Sequence, residues 1–355
     1  MKVMIATGGT GGHIFPALEL AAELKKAGHD VHFVGAFRNS FKKIQSQGFA
    51  VRELGAVGFS WRTSGAFVLN TLRAAVVSRN VLRDFHPDVV VGFGGYGAFP
   101  VVLSAFLLRI PTLLHEQNVV PGKANRILAK LVNRVAISFA KSQKFFKASK
   151  TVLTGCPSHQ DRVTQDKKDL LRKWGLSADR ITLLILGGSQ GSHTINMEFL
   201  KALAFLKDKV NLQVVHQSGK SDYEEIRKQY AGLKVPFCLF EFIEDVEQVY
   251  KIADLVISRA GAVTVSEIAL FNLPAILIPY PYAHGHQREN AVILAELNIA
   301  KIIDEKFLSA KILSDTIMTC LNQRPSREEI RERIRGMCFP DAAQRLAKEV
   351  IALAR

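Results

Sequence analysis

Short apolar runs alternate along the chain with longer stretches whose apolar positions recur at helical spacing. Residues 2–7 form the first run and break into Gly8-Gly9-Thr10-Gly11-Gly12-His13, after which residues 16–27 carry the helical pattern. Gly28-His29-Asp30 ends that helix and Val31-His32-Phe33-Val34 opens the next strand. Residues 181–206 repeat the order: an apolar run, then Gly187-Gly188-Ser189-Gln190-Gly191, then a helix through Leu206. A second pair of segments also matches. One runs from Asp88 through Gly94-Gly95-Tyr96-Gly97 into an apolar helix and on to Ile110-Pro111-Thr112-Leu113-Leu114. The other runs from Asp254 through Arg259-Ala260-Gly261 into an apolar helix and on to Leu273-Pro274-Ala275-Ile276-Leu277.

Apolar strands alternating with helices predict parallel sheets covered on both faces. The same order occurring twice predicts an α/β chain of two doubly wound domains, 1–156 and 157–340, joined near residues 154–157. An amphipathic stretch over 341–355 is expected to be a terminal helix that completes the first domain. Ligands in such sheets bind outside the carboxyl ends of the strands, where the glycine loops sit. Two such edges suit the joining of two substrates.

Composition narrows the class. With 355 residues, 48% hydrophobic and 22% charged, the chain is a folded globular protein rather than a disordered or disulfide-stapled one. Cys156, Cys238, Cys320 and Cys338 form no CxxC pair, so neither a zinc site nor a disulfide framework is expected and a reducing cytosol is the natural compartment. No run reaches the roughly 18 to 20 apolar residues of a spanning helix, so no membrane crossing is expected.

Charge adds a functional clue. The net charge is +15, and it is uneven: 20 basic and 7 acidic residues up to Pro157, against 27 and 25 beyond it. Between Glu116 and Asp161 there is no acid at all. A basic half points to nucleic acid, a phosphate-bearing substrate or acidic headgroups, against the plainer reading of a solvated face.

The glycine loops offer N–H groups at helix starts, which suits phosphate. The first is not a dinucleotide fingerprint, because Ile14 stands where the third glycine belongs and the second strand ends at Gly35 without an acid. No P-loop motif occurs. His13 opens the first helix, where an imidazole can exchange protons near neutral pH or simply be structural. Glu267 is placed in the first turn of the helix after 260–264, as a helix-dipole partner or as the acceptor of two ribose hydroxyls. After an apolar strand expected over 275–282, His284-Gly285-His286-Gln287-Arg288-Glu289-Asn290 is densely polar. His284 and His286 make a poor metal pair without further ligands, and no metal site is expected. Gln287 and Asn118 are suited to sugar hydroxyls because amides both donate and accept.

Together these motifs resemble a known family. The 7–13 loop, Gly94-Gly95-Tyr96-Gly97, His115-Glu116-Gln117-Asn118, the 187–191 loop, Ser258-Arg259-Ala260-Gly261-Ala262, Thr264-Val265-Ser266-Glu267 and the 286–291 run are similar, in order, to the MurG peptidoglycan glycosyltransferases. The resemblance implies a GT-B fold, two Rossmann-like domains facing across a cleft. It also implies inverting transfer of GlcNAc from UDP-GlcNAc to the MurNAc-pentapeptide of lipid I, giving lipid II. It assigns Glu267 to the ribose, the Ile243 backbone to the uracil edge, and Ser189 with the N–H groups of Ala262, Val263 and Thr264 to the diphosphate. Val265 and Ser266 continue that segment, with Arg259 close to the nucleotide and Gln287 and Asn118 on the GlcNAc hydroxyls. Thr10, Gly11 and Gly12 line the site, Gly94, Gly95 and Tyr96 form the acceptor-diphosphate loop, and His13 is the general base. The family's Gly-Asn-Pro-x-Arg stretch reads Gly155-Cys156-Pro157-Ser158-His159 here, leaving His159 or Arg162 to replace its arginine; Asn290 is a further candidate. No cofactor is obligatory, a divalent cation being at most a stimulant.

Three other readings fit part of the pattern: a nucleic-acid-binding protein with structural loops, a UDP-GlcNAc 2-epimerase and a diacylglycerol glucosyltransferase. The partners expected are UDP-GlcNAc, lipid I and an anionic membrane surface, not nucleic acid, at the cytoplasmic face of the inner membrane. The membrane expectation rests on residues 59–83, with Phe59, Trp61, Phe67, Val68, Leu69, Leu72, Val76 and Leu82 among Arg62, Arg73, Arg79 and Arg83. Phe106, Leu107, Leu108 and Arg109 add a second apolar and basic edge.

Overall fold

The computed structural model describes residues 1–9, 11–37, 41–54, 64–158, 164–282 and 285–354, with side chains of the helix Ser64–Phe85 described from residue 73 onward. The chain divides into two compact units, Met1–Ser158 with Phe339–Arg355, and His159–Cys338.

Among the described residues the first unit holds a seven-stranded sheet. Its strands are β1 (Lys2–Gly8), β2 (Asp30–Ala36), β3 (Ala50–Glu53), β4 (Val89–Gly92), β5 (Thr112–Glu116), β6 (Arg134–Ile137) and β7 (Thr151–Leu153). The order is β3-β2-β1-β4-β5-β6-β7, and every pairing is parallel. The second unit holds six: β8 (Ile181–Leu186), β9 (Leu212–Gln217), β10 (Phe237–Phe240), β11 (Leu255–Ser258), β12 (Ala275–Leu277) and β13 (Ala300–Ile302), in the order β10-β9-β8-β11-β12-β13, again all parallel. Central strands such as Val89–Gly92 and Leu255–Ser258 are buried at every position, as sheets covered by helices on both faces require. In both units the strand order reverses after the first strand, between β1 and β4 and between β8 and β11. The glycine loops of the two repeated segment pairs leave from these switch points.

The helix Ala342–Leu353 belongs to the first unit. Leu346, Ala347 and Val350 enter the core formed with Ile14, Leu18 and Ala21 of the first helix, and Glu349 pairs with Arg134. Two expectations are corrected. Gly11, Gly12 and His13 are not loop but the first turn of the helix Gly11–Lys26, which starts upstream of Pro16 and holds that proline in its interior. The strand expected over 275–282 stops at Leu277; Ile278 still donates to Ser258 C=O at 2.8 Å, but Pro279 and Pro281 have no N–H with which to continue the ladder.

Candidate active site

At the first switch point two loops touch backbone to backbone. Gly8 N–H donates to Gly94 C=O at 3.1 Å. Gly95 has φ of +75°, and a Cβ there would lie 3.0 Å from the Gly8 Cα, so only glycine fits. The same Cβ would lie 3.4 Å from the ring of His13, so the helix start and the loop after β4 share one small space. Gly12 is exposed, and a Cβ on it would meet nothing within 4 Å. Packing therefore does not explain that glycine. Gly11 is half-buried beside it and Tyr96 is exposed at the tip of the loop after β4. Thr10 lies outside the described residues.

The end of β5 supplies the polar side chains. His13 Nδ1 lies 2.9 Å from Gln117 Oε1, and among the described residues its Nε2 has no hydrogen-bond partner. Gln117 Nε2 lies 3.0 Å from His115 Nδ1, and His115 Nε2 lies 3.0 Å from Gly155 C=O. His115 is fully buried, and burial pushes its imidazole down to about 4, against the lift from the Gly155 carbonyl. Glu116 is also buried. Its carboxylate accepts from Asn118 N–H at 2.9 Å, Asn118 Nδ2 at 3.1 Å, Gly122 N–H at 3.3 Å and Asn125 Nδ2 at 2.7 Å. Burial still holds its carboxyl above the usual range despite those bonds. Asn118 is half-buried, positioned by this carboxylate. Within the run 115–118 the family resemblance assigns a role only to Asn118. The signal was available: four consecutive polar residues at the inner end of an apolar strand.

The second switch point is held together by side-chain amides and one guanidinium. A Cβ on Gly191, φ +79°, would lie 2.0 Å from Ser218 C=O, so the 187–191 loop presses onto the end of β9. Gln217 ties that edge: Nε2 donates to Gly188 C=O and Oε1 accepts from Ile243 N–H, each at 2.9 Å. The Ile243 N–H is thus spent, leaving its carbonyl for a ligand. Ser189 is exposed on the loop.

Arg259 is committed too. It donates to Ile278 C=O at 3.2 Å and Ser192 Oγ at 2.8 Å, pairs with Glu305, and lies over the Tyr280 ring. Such a guanidinium braces the loop walls rather than reaching freely for a nucleotide. Gln287 Oε1 accepts from Ala260 N–H at 3.1 Å and Tyr280 N–H at 2.9 Å, while buried Asn290 donates to Ala260 C=O at 3.2 Å. The helix His286–Ala295 therefore clasps the turn after β11, and Gln287 keeps only its amide N–H donors.

The helix Ala262–Leu270 begins beside this turn. No side chain caps it, no acid occupies its first turn, and the N–H groups of Ala262, Val263 and Thr264 have no partner among the described residues. Val265 N–H is already bonded to Gly261 C=O at 2.9 Å, and Ser266 is buried in the helix. Glu267 lies in the second turn rather than the first, so the helix-dipole reading does not apply. It is buried and accepts a hydrogen bond from Tyr250 Oη at 3.1 Å. His159, Arg162 and His284 lie outside the described residues.

The chain also matches known proteins along its length. Residues 3–137 match the glycosyltransferase family 28 N-terminal domain, and residues 182–346 the glycosyltransferase family 28 C-terminal domain. The chain belongs to glycosyltransferase family 28. It is 37% identical over its full length, and 99% of the relative's, to a UDP-N-acetylglucosamine–N-acetylmuramyl-(pentapeptide) pyrophosphoryl-undecaprenol N-acetylglucosamine transferase from Thermodesulfovibrio yellowstonii. A relative of the same description from Syntrophus aciditrophicus is 41% identical over 89% of both chains. The solved structure of Acinetobacter baumannii MurG matches 99% of each chain with a TM-score of 0.79 at 30% identity. The family 28 chain thus has the GT-B class of two Rossmann-like domains. A Neisseria meningitidis UDP-GlcNAc 2-epimerase also matches, with a TM-score of 0.70, but at 17% identity it shares the fold alone.

Proposed function

We propose that this glycosyltransferase moves GlcNAc from UDP-GlcNAc to the MurNAc-pentapeptide of undecaprenyl-diphosphate-linked lipid I, forming lipid II in peptidoglycan synthesis. The observation that carries the reading is the end-to-end match to transferases of that description. The two switch points supply the chemical parts.

In the second unit the unspent N–H groups of residues 262–264 and the exposed Ser189 meet the diphosphate at the positive end of a helix. Glu267 accepts from the ribose hydroxyls, the Ile243 carbonyl faces the uracil edge, and the Gln287 amide donates to a GlcNAc hydroxyl. In the first unit Asn118 offers a second amide to the sugar, and the loop with Gly94, Gly95 and Tyr96 takes the acceptor diphosphate. His13 Nε2 removes the proton from the acceptor hydroxyl as its oxygen attacks the anomeric carbon. The bond to UDP breaks with its electron pair leaving on the diphosphate, and the α-linked sugar becomes β-linked in a single displacement. A divalent cation enters only as a stimulant.

Attachment to an anionic membrane would bring the enzyme to its lipid-borne acceptor. Val76, Val77, Phe106 and Leu107 are exposed on two packed helices, with Arg73, Arg79, Arg83 and Arg109 exposed around them. Leu82 instead packs into the core. Phe59, Trp61 and Arg62, and the side chains of Phe67, Val68, Leu69 and Leu72, lie outside the described set. No helix among the described residues is long and apolar enough to cross a membrane. An exposed apolar face rimmed by arginines is suited to reversible attachment.

The test is transfer of radiolabelled GlcNAc from UDP-GlcNAc to lipid I in vesicles with and without anionic lipid. Label should enter lipid II, and the protein should sediment with anionic vesicles in a salt-sensitive way. Transfer to diacylglycerol instead of lipid I, or formation of UDP-ManNAc, would replace the reading.

A further inference from the structure

Three side chains at the first switch point form a line that ends on a backbone carbonyl, and each hydrogen along it can be assigned. The Gly155 C=O only accepts, so His115 Nε2, 3.0 Å away, carries a hydrogen. His115 is buried and neutral at physiological pH, so its Nδ1 is a bare lone pair. Gln117 Nε2 lies 3.0 Å from that lone pair and 3.1 Å from the His115 C=O, two acceptors that hold the amide nitrogen inward and use both its hydrogens. Gln117 Oε1 is thereby turned toward His13 Nδ1 at 2.9 Å. An amide oxygen cannot donate, so His13 Nδ1 carries the hydrogen. Flipping the amide, or moving either ring's hydrogen to its other nitrogen, opposes two lone pairs or two hydrogens somewhere along the line.

We propose that His115 and Gln117 are positioning residues that transmit the polarity of the Gly155 carbonyl to His13 and hold it with hydrogen on Nδ1 and the lone pair on Nε2. The catalytic consequence rests on His13 being the base of the proposed transfer. The neutral imidazole of histidine in water prefers hydrogen on Nε2, the opposite arrangement. Without the line, His13 would mostly present an N–H to a hydroxyl that needs an acceptor. With it, the nitrogen that has no partner among the described residues is the one able to take the proton. After the transfer the imidazolium still donates from Nδ1 to Gln117, so no protein group has to turn. The Glu116 carboxylate lies between His115 and Gln117 in sequence but is engaged by Asn118, Gly122 and Asn125, outside the line.

Nitrogen-15 NMR of the full chain with labelled histidine reads the tautomer directly, His13 being assigned by its absence in His13→Ala. The wild-type protein should show a protonated Nδ1 and an unprotonated Nε2. Gln117→Met, whose thioether is only a weak acceptor, should shift His13 toward the Nε2–H form, with kcat falling about 10- to 100-fold, less than the loss of a general base, and donor affinity kept. Gln117→Glu, which accepts at the same place, should keep the Nδ1 hydrogen. Hydrogen on Nε2 in the wild-type protein, or an unchanged tautomer in Gln117→Met, overturns the line. The catalytic reading fails separately, if His13→Ala turns over normally while the tautomer is as assigned.

Discussion

Among the described residues each unit buries one histidine at the carboxyl end of a strand, His115 on β5 and His216 on β9, and the two networks end differently. His216 accepts from Tyr230 Oη at Nδ1, 2.9 Å, and donates from Nε2 to Asn196 Oδ1, 3.0 Å; Asn196 in turn donates to Ser218 C=O and Asp222. That network ties helix, strand and loop together and ends at the surface, where Asp222 pairs with the exposed His193 Nδ1 at 3.2 Å. The network of His115 runs, through Gln117, to a half-buried histidine whose Nε2 has no partner among the described residues. The switch points differ in the same sense. In the second, Gln217, Arg259, Gln287 and Asn290 turn inward to brace loops, leaving mainly backbone N–H groups without a partner among the described residues. In the first, the bracing is backbone against backbone and a side chain is left to react. Preorganised N–H groups suit a fixed diphosphate, whereas moving a proton needs a group that titrates.

The largest expected effect comes from removing the open end of the first network. His13→Ala should lower kcat about 100- to 10,000-fold, the usual contribution of a general base, with little change in UDP-GlcNAc affinity by calorimetry. Near-normal turnover would make the first network as structural as the second.

Perturbing the second switch point should give the converse result. Glu267→Ala and Gln287→Glu should each weaken UDP-GlcNAc binding by about 1.5 to 3 kcal/mol, the scale of a hydrogen bond to a charged group. The glutamate variant at 287 is the informative one, because it still accepts from Ala260 and Tyr280 N–H while losing the amide donors; Gln287→Ala would free both loops as well. Unchanged calorimetric affinity in both variants removes the donor assignment.

The remaining effect, on stability rather than on catalysis or binding, is shared by the two units. Burial pushes His115 down to about 4 and His216 down to about 3, from 6.5. Above pH 6.5 neither folded nor unfolded histidine binds a proton, and stability is full. As the pH falls below that, the unfolded chain gains protons that the folded chain refuses, so each unit loses about 1.4 kcal/mol per pH unit from its histidine. The loss from His115 should level off near pH 4 and that from His216 near pH 3. Urea midpoints at pH 7 and pH 5 check this, and a His115→Asn variant should show a shallower fall in the first unit.

The alternation of apolar runs and glycine loops was enough to predict both sheets, their parallel sense and the switch-point loops, because strand burial and tight turns are written in local residue types. The matching motif order, from the 7–13 loop to residues 286–291, was likewise readable as a family. Local pattern could not tell which polar atoms were already spent. Gln287 and Asn118 looked alike as amides, yet Gln287 has its oxygen fully engaged by two loop N–H groups and Asn118 is held by a buried carboxylate. Ile243 N–H was taken by Gln217, 26 residues away, and Glu267 proved to be a turn further into its helix than expected. The tautomer of His13 depends on a carbonyl at residue 155, brought within reach only when β5 and β7 lie in one sheet and the segment after β7 turns back over the end of β5. Hydrogen bonds saturate, and which partner saturates each group is decided by contacts between distant segments. The sequence by itself therefore determined the elements and the residue types at the two edges. Only the tertiary structure decided which of those groups remain available to a substrate.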